Sequence, residues 1–369
     1  MRPIPAFVHA AYVKVLKPVL FSFDPEDVHD VFTVVGRFLG RFPLTRALTA
    51  ASFKYSDGRL EQDLLDVHFA NPIGLAAGFD KNALLLDIMP SVGFGFTEVG
   101  SVTGESCQGN PRPRLWRLKK SRSIGVYYGL KNDGCEVIAK RLAGRKFRAP
   151  FGVSVAMTNC AENADLACGV GDYAKAFKTF ATGPGDYLTI NISCPNAFGG
   201  QPFTDAQRLE ALLAKLDAIP TAKPVFMKMS PDLSEAEIDA ILEVAGRHRI
   251  NGFICTNLTK KPGNPKVLEA WPPHGGLSGK VVGDLSDKMI SQIYRKTKGK
   301  YVIIGCGGVF SAQDAYRKMA LGASLIQLIT GLLFEGPQLI GEINAGLVKL
   351  MEKKGFTSVS QIIGSENKI

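Results

Sequence analysis

Apolar positions recur with two different periods along this chain, and the change of period divides it. Phe7, Val8, Ala11, Tyr12, Val15, Leu16, Val19 and Leu20 return at helical spacing, with Lys14 and Lys17 off that face. Asp24-Pro25-Glu26-Asp27 then supplies an N-cap, a first-turn proline and acidic residues at the positive end of a second helix. That helix carries Val28, Val31, Phe32, Val35, Phe38 and Leu39 and closes near Gly40. Two arrangements satisfy the pattern: a hairpin packed on the domain, or one splayed open with its inner faces on a membrane or guiding an apolar ligand.

From residue 62 the pattern changes to a short β segment at 63–69 and then a regular alternation. Eight strand-like runs follow, at 72–76, 94–99, 151–156, 187–192, 225–229, 252–256, 301–305 and 325–329. Helical patterns lie between most of them, clearest at 204–217, 234–246, 283–298 and 311–321. Eight strand–helix units predict an α/β chain closed into a (β/α)8 barrel, not an open doubly wound sheet. Residues 1–48 are then a small helical extension and 49–369 the catalytic barrel. The long segment 104–132, rich in polar and aromatic residues, is placed to cover an active site.

Composition narrows the function. With 46% hydrophobic residues and a mean hydropathy of +0.06, the chain reads as globular with a substantial core. Its formal charge of +10 raises nucleic acid as a partner, yet no block of five basic residues occurs. The densest clusters, Lys119-Lys-Ser-Arg122 and Arg295-Lys-Thr-Lys-Gly-Lys300, are short and far apart. A solvated basic surface or attraction to anionic lipid accounts for the charge, so no nucleic-acid partner is expected. The seven cysteines (107, 135, 160, 168, 194, 255 and 306) form no CxxC pair and no metal-ligand spacing with the five histidines. That usage fits a reducing, intracellular compartment and no metal. The start, Met1-Arg-Pro-Ile-Pro, has no signal-peptide architecture, because His9, Lys14 and Lys17 break the apolar stretch behind it. No uncharged apolar run reaches the ~18 residues of a spanning helix.

The chemistry concentrates in Asn191-Ile-Ser-Cys-Pro-Asn196, which follows the fourth strand and precedes Gly199-Gly200. Two amides flank a thiol, and Pro195 fixes the backbone between Cys194 and Asn196. Amides offer donors and an acceptor, and a thiol loses its proton near neutral pH, which suits holding a polar planar ligand and deprotonating it. The same hexapeptide also suits a buried structural cysteine in a turn.

Barrels carry function at the C-terminal strand ends. Those ends give, in order, Ala76-Ala77-Gly78-Phe79-Asp80-Lys81, Gly100-Ser101-Val102-Thr103, the Asn191/Cys194/Asn196 loop, Lys228, Thr256-Asn257, Gly305-Cys-Gly-Gly308 and Thr330-Gly331. Glycine turns after strands seven and eight fall where barrels bind phosphate through backbone N–H groups, which predicts a phosphorylated cofactor.

With these residues in place, the chain resembles the dihydroorotate dehydrogenases, in their membrane-associated, quinone-reducing class (class 2). The resemblance covers nearly all of the chain. It runs through Leu20-Phe-Ser-Phe-Asp-Pro-Glu-Asp-Val-His29, Asn71-Pro-Ile-Gly-Leu-Ala-Ala-Gly-Phe-Asp-Lys81 and Gly109-Asn-Pro-Arg-Pro-Arg-Leu-Trp-Arg-Leu118. It continues in the Asn191 hexapeptide, Cys255-Thr-Asn257, His274-Gly-Gly-Leu-Ser-Gly279 and Gly305-Cys-Gly-Gly-Val309. The resemblance implies flavin mononucleotide (FMN) in the barrel and oxidation of dihydroorotate to orotate in pyrimidine synthesis. Carried over by position, Ala77, Gly78, Ser101, Asn191, Lys228, Thr256, Gly279, Gly308 and Thr330 would contact the flavin. Lys81, Asn191, Asn196 and Asn257 would hold the substrate. Cys194 would take the proton from substrate C5 while hydride leaves C6 for the flavin. His29 and Arg117 match positions near the quinone passage. The implied partners are dihydroorotate and orotate, quinone, and a membrane surface met by the N-terminal helices. The implied location is peripheral: the cytoplasmic membrane in a bacterium, the inner mitochondrial membrane in a eukaryote.

Four departures stand out. The membrane class usually has serine where this chain has Cys194, a choice found in the soluble classes. The usual Asn-Arg-x-Gly-Phe substrate loop reads Val126-Tyr-Tyr-Gly-Leu130, so one substrate amide is absent. The flavin-contacting asparagine after strand three is Ser154, and Ile329 replaces a tyrosine beside the flavin phosphate. These leave open a second reading, in which the same flavin barrel acts on a different cyclic amide or uses another electron acceptor.

Overall fold

The computed structural model describes residues 6–196, 200–261, 265–272 and 274–367. Gly199 of the glycine pair and the initial Met1-Arg-Pro-Ile-Pro lie outside the described residues. Eight strands close into a barrel: β1 Ile73–Leu75, β2 Phe96–Val102, β3 Phe151–Val155, β4 Tyr187–Asn191, β5 Val225–Met229, β6 Gly252–Cys255, β7 Val302–Cys306 and β8 Leu325–Leu328. All neighbouring pairs are parallel and β8 returns to β1, as eight strand–helix units require.

Strand alternation sorts the side chains into two cores. Leu188 and Ile190, Met227 and Met229, Phe253 and Ile303 point outward and join the large cluster under the helices. Phe96, Tyr187, Phe226, Ile254, Ile304 and Leu325 point inward and fill the N-terminal mouth. A small antiparallel hairpin, Gln62–Leu64 with Val67–Phe69, plugs that mouth, with the Phe69 and Phe96 rings 5.3 Å apart. One layer higher the interior turns polar, with Glu98, Thr189 and Gln327. Gln327 and Thr189 donate to Glu98 Oε2 at 3.0 and 3.1 Å. Burial pushes the Glu98 carboxyl up, opposed by the Lys228 ammonium. The topmost layer, Asn191, Thr256 and Cys306, opens onto the site.

Strand β2 runs three residues further than its apolar pattern suggests. Gly100 and Ser101 therefore lie inside the strand, not behind it, and the register against β3 shifts between Val99 and Val102. The resulting bulge re-aims Ser101. The segment 104–132 carries two short strands, Leu115–Leu118 and Ser123–Val126, which pair antiparallel. Gly276–Gly279 adds to Ser123–Val126, making a three-stranded lid at the C-terminal end of the barrel.

The extension has three helical segments: α1 over residues 6–20, interrupted by a π-helical stretch Tyr12–Leu16, then α2 Pro25–Arg41 and α3 Pro43–Phe53. The third runs through residue 48 and has no counterpart in the apolar pattern. Asp24 caps α2 by accepting from the N–H groups of Glu26 and Asp27 at 2.8 and 3.2 Å. The face of α2 turned to the barrel is mostly polar and small, Glu26, His29, Thr33, Gly36 and Gly40, with Leu39 of the apolar stripe packed against the core beside them. A Cβ on Gly36 would sit 2.7 Å from Leu85 Cδ2, and one on Gly40 would sit 3.0 Å from Asp87 Cβ, so glycine permits the approach. The rest of the apolar stripe points the other way. Val31, Val34 and Phe38 are 60%, 69% and 59% exposed, and Leu44 and Leu48 of α3 continue the patch. No helix among the described residues is long and apolar enough to cross a membrane.

Candidate active site

Four barrel strands deliver a cluster of amides and hydroxyls. Asn191, the last residue of β4, donates from Nδ2 to Ser101 Oγ at 2.8 Å, and Ser101 Oγ lies 2.8 Å from Ser154 Oγ. Asn191 Oδ1 accepts from the Ser193 hydroxyl at 3.0 Å and its N–H at 3.2 Å. Asn257, beyond β6, donates from Nδ2 to Ser193 O at 2.9 Å and lies 3.4 Å from Asn191 Oδ1. Asn191, Ser101, Ser154 and Ser193 are all buried. The half-buried Cys194 borders a small, open cavity together with Asn191, Tyr173, Leu130, Met157 and Phe203. Tyr173 donates to Asn191 O at 2.5 Å, and burial, with the neighbouring Cys194 sulfur, holds its phenol strongly protonated.

A larger cavity opens beside this cluster. Ala77, Lys228, Thr256, Gly279, Gly308 and Thr330 line it, as do Asn257, Ser278, Cys306 and Ile329. Gly279 has φ +102°, and a Cβ there would meet Arg122 O at 2.6 Å and Thr330 Cγ2 at 2.9 Å. Gly308 has φ +73°, and its Cβ would come within 2.4 Å of Gly283 Cα. Both glycines are therefore dictated by backbone conformation and by space. Ser278 Oγ and Thr330 Oγ1 are 2.7 Å apart at the same wall. Gly78, Ser101 and Asn191 lie outside this lining. Gly78 borders it, since a Cβ there would meet Ile329 Cδ1 of the lining at 3.8 Å, and the other two reach it through the amide cluster.

Lys81 approaches from the loop after β1, with Nζ 4.0 Å from the centroid of the Tyr128 ring. Burial lowers its ammonium to about 8. Asn196 Nδ2 donates to Val126 O at 2.8 Å. Among the described residues, the buried Asn196 Oδ1 and Tyr128 hydroxyl have no hydrogen-bond partner. Two unmatched polar atoms in one region, beside a cation, are what a bound polar ligand leaves behind. Val126, where the family pattern has an asparagine, contributes its carbonyl instead.

His29 and Arg117 line neither cavity. His29 Nε2 lies 2.8 Å from Phe79 O, where burial and then the Lys81 charge hold its imidazole below the usual range. Arg117 donates to Phe23 O at 2.7 Å and lies 4.7 Å from the Phe21 ring centroid. Both hold the extension to the barrel. Between α1 and the cavity runs an apolar seam, Phe21 to Phe334 to Phe310, with centroids 5.4 and 6.2 Å apart. Residue types alone did not single out Tyr128, Tyr173, Ser193 or Phe310. Tyr128, Ser193 and Phe310 stand two residues from Val126, Asn191 and Gly308, the only signal present, and Tyr173, on the helix Leu166–Ala181, carried none. No group of metal ligands forms among the described residues.

A family model described as dihydroorotate dehydrogenase matches residues 59–351. The chain is 39% identical over 351 residues to a quinone dihydroorotate dehydrogenase of Natronomonas pharaonis, covering 95% of this chain and 98% of that one. It is 38% identical over 358 residues to the enzyme of the same description from Gloeobacter violaceus, with the same coverage. Among solved structures, a dihydroorotate dehydrogenase of Eimeria tenella in complex with ferulenol superposes with a TM-score of 0.80 at 28% identity, covering 94% of this chain and 96% of that one. Sequence along the whole length and the three-dimensional fold thus lead to the same assignment: the chain belongs to the quinone-dependent, class 2, dihydroorotate dehydrogenase family.

Proposed function

We propose that Cys194 is the base of this enzyme, that Lys81, Asn191, Asn196 and Asn257 hold its substrate, and that the larger cavity receives FMN. The family's reaction is oxidation of (S)-dihydroorotate to orotate in pyrimidine synthesis, with quinone as acceptor. The observation that carries the assignment is the joining of two cavities by one amide cluster: Asn257 lines the larger, Asn191 and Cys194 the smaller, and the two amides meet at 3.4 Å.

The residues present fit FMN. Gly279 and Gly308 put positive-φ backbone without side chains in the cavity wall, and the hydroxyls of Ser278 and Thr330 suit a phosphate. Ala77, Gly78, Ser101, Asn191, Lys228 and Thr256 would hold the rest of the group. Bound FMN supplies the hydride acceptor for substrate C6 and relays the electrons to quinone. Cys194 Sγ takes the C5 proton, and a thiol with an ordinary pKa of ~8.5 needs less activation for this than a serine. The amides of Asn191, Asn196 and Asn257 orient the ring for that transfer. Lys81 neutralises the substrate carboxylate. The seam from Phe21 to Phe310, with Arg117 on the Phe21 ring, is the route for quinone, and His29 holds the extension beside it to the barrel. The outward stripe of α2 and α3 rests on a membrane surface as a peripheral anchor. The +10 charge suits anionic headgroups.

Anaerobic mixing of the yellow holoenzyme with dihydroorotate tests this directly. The flavin should bleach, and quinone should restore its colour. Cys194→Ala should retain FMN and slow bleaching at least ~100-fold, the usual scale for a general base. Wild-type bleaching by that variant would remove Cys194 from the mechanism.

A further inference from the structure

Glu26 does more than favour the start of α2. A first-turn glutamate assists a helix from solvent, yet Glu26 is only 2% exposed. Its oxygens accept from Arg114 Nε at 3.0 and 3.1 Å and from Nη2 at 2.7 Å, while Arg112 Nε lies at 3.0 Å and Lys131 Nζ at 3.6 Å. Burying a carboxylate is costly unless it is paired and hydrogen-bonded, so this geometry is an arrangement the fold has to maintain. Arg114, itself 6% exposed, has further partners. Its Nη1 donates to Gln108 O at 3.0 Å and Asn110 O at 2.7 Å, which fixes the turn that aims the Asn110 side chain.

Asn110 Nδ2 donates to Asn196 O at 3.0 Å, and Asn110 Oδ1 accepts from Asn159 at 3.1 Å. The Arg114 guanidinium also lies 5.2 Å from the Tyr128 ring centroid, and that ring contacts Lys81. A continuous path therefore runs from the extension to two substrate-binding residues.

We propose that Glu26 is a positioning residue for dihydroorotate: through Arg114 it sets the Asn110 amide against the Asn196 loop and the Tyr128 ring against Lys81. The N-terminal extension thereby helps to build the substrate site. This rests on the assignment of Lys81 and Asn196 to the substrate made above. Lys81 faces Glu26, His29 and Asp30 from α2, Arg114, Lys131 and Tyr128 from the lid, and Asp80 from its own loop. Removing the Glu26 charge leaves the surrounding cations less compensated, so Lys81 gives up its proton more easily. A weakening that was merely structural would not carry that signature.

The test follows anaerobic flavin reduction by dihydroorotate in full-length holoenzyme, with no quinone present. Glu26→Gln should raise the half-saturating dihydroorotate concentration about tenfold at neutral pH, on the scale of a lost charge-assisted contact. The limiting rate should change less than about threefold, and the alkaline fall in apparent affinity should begin about half a pH unit lower. Asn110→Ala should weaken half-saturation to a similar degree without moving that fall. The double variant should be little worse than Glu26→Gln, because both act through one contact. A flavin-loaded Glu26→Gln with wild-type half-saturation and pH profile overturns the proposal. Should Glu26→Gln fail to hold flavin, Asn110→Ala decides: the rise sustains the proposal, wild-type half-saturation overturns it. A wild-type flavin that dihydroorotate does not bleach would overturn the substrate assignment, and the proposal with it.

Discussion

Lys81 gives the sharpest quantitative expectation. Its ammonium is lowered to about 8, by burial first and by Lys131 and Arg114 after it, against the opposing Asp30 and Glu26 carboxylates. In the role proposed for Lys81, the substrate carboxylate binds the charged form. Affinity is therefore fully present below that value and is lost as pH rises through it. One unit above the pKa about a tenth of the lysines remain protonated, so orotate should bind roughly tenfold more weakly at about pH 9 than at about pH 7, a difference of ~1.4 kcal/mol. A lysine with an ordinary pKa of ~10.4 would change affinity by only a few per cent over that interval. Orotate is the ligand of choice because its binding needs no proton transfer, and repeating the series in Cys194→Ala keeps the thiol out of the measurement. The assay is perturbation of the flavin spectrum at a series of pH values, repeated with Lys81→Met. That variant should bind weakly with the pH dependence removed. Equal wild-type affinity at the two pH values would refute the role of Lys81.

Other consequences are as direct. Cys194→Ser should shift the rising limb of the pH profile for flavin reduction to higher pH, because a hydroxyl is the weaker acid; stopped-flow bleaching across pH reads it. Gly279→Ala forces a side chain at φ +102° against Arg122 O, so it should purify largely without flavin, seen in the ratio of visible to protein absorbance. Val34→Asp with Phe38→Asp should abolish sedimentation with anionic vesicles and depress quinone reduction, while bleaching by dihydroorotate stays normal. Tyr128→Phe removes a buried hydroxyl with no protein partner, so the substrate-free melting temperature should hold or rise; the half-saturating dihydroorotate concentration should rise several-fold if the hydroxyl meets the ligand.

The barrel was legible because parallel strands buried on both faces are short apolar runs, and every one of the eight runs became a strand. The bulge in β2 was not legible, since Gly100-Ser101 looks like any strand-ending turn. The stripe on α2 was visible, but its direction was not: amphipathicity marks an apolar face without saying what covers it. Here Glu26, His29 and two glycines pack inward while Val31, Val34 and Phe38 face out. Glu26 itself was read as helix-end electrostatics, because its partner lies 88 residues away. The third helix, Pro43–Phe53, escaped because its large apolar residues Leu44 and Leu48 do not complete a core face. Within the site, the residues carried by motif spacing are brought together at the strand ends. Those acting by contact, such as Tyr128 and Arg114, needed the folded chain.

The lid has a consequence for how the enzyme is made. Its middle strand, Ser123–Val126, takes Leu115–Leu118 from its own segment but Gly276–Gly279 from beyond the sixth barrel strand. A ribosome-bound chain can therefore pair the first two lid strands early, yet of the larger cavity it has only Ala76 and Ala77, and the wall bearing Gly279 is missing until that later stretch has emerged. Thr330, at the same wall, arrives later still, with the strand that seals the barrel. Pairings this distant form late and slowly. Flavin capture should accordingly be the last event of maturation, and low flavin supply should delay completion of the lid without blocking assembly of the earlier strands.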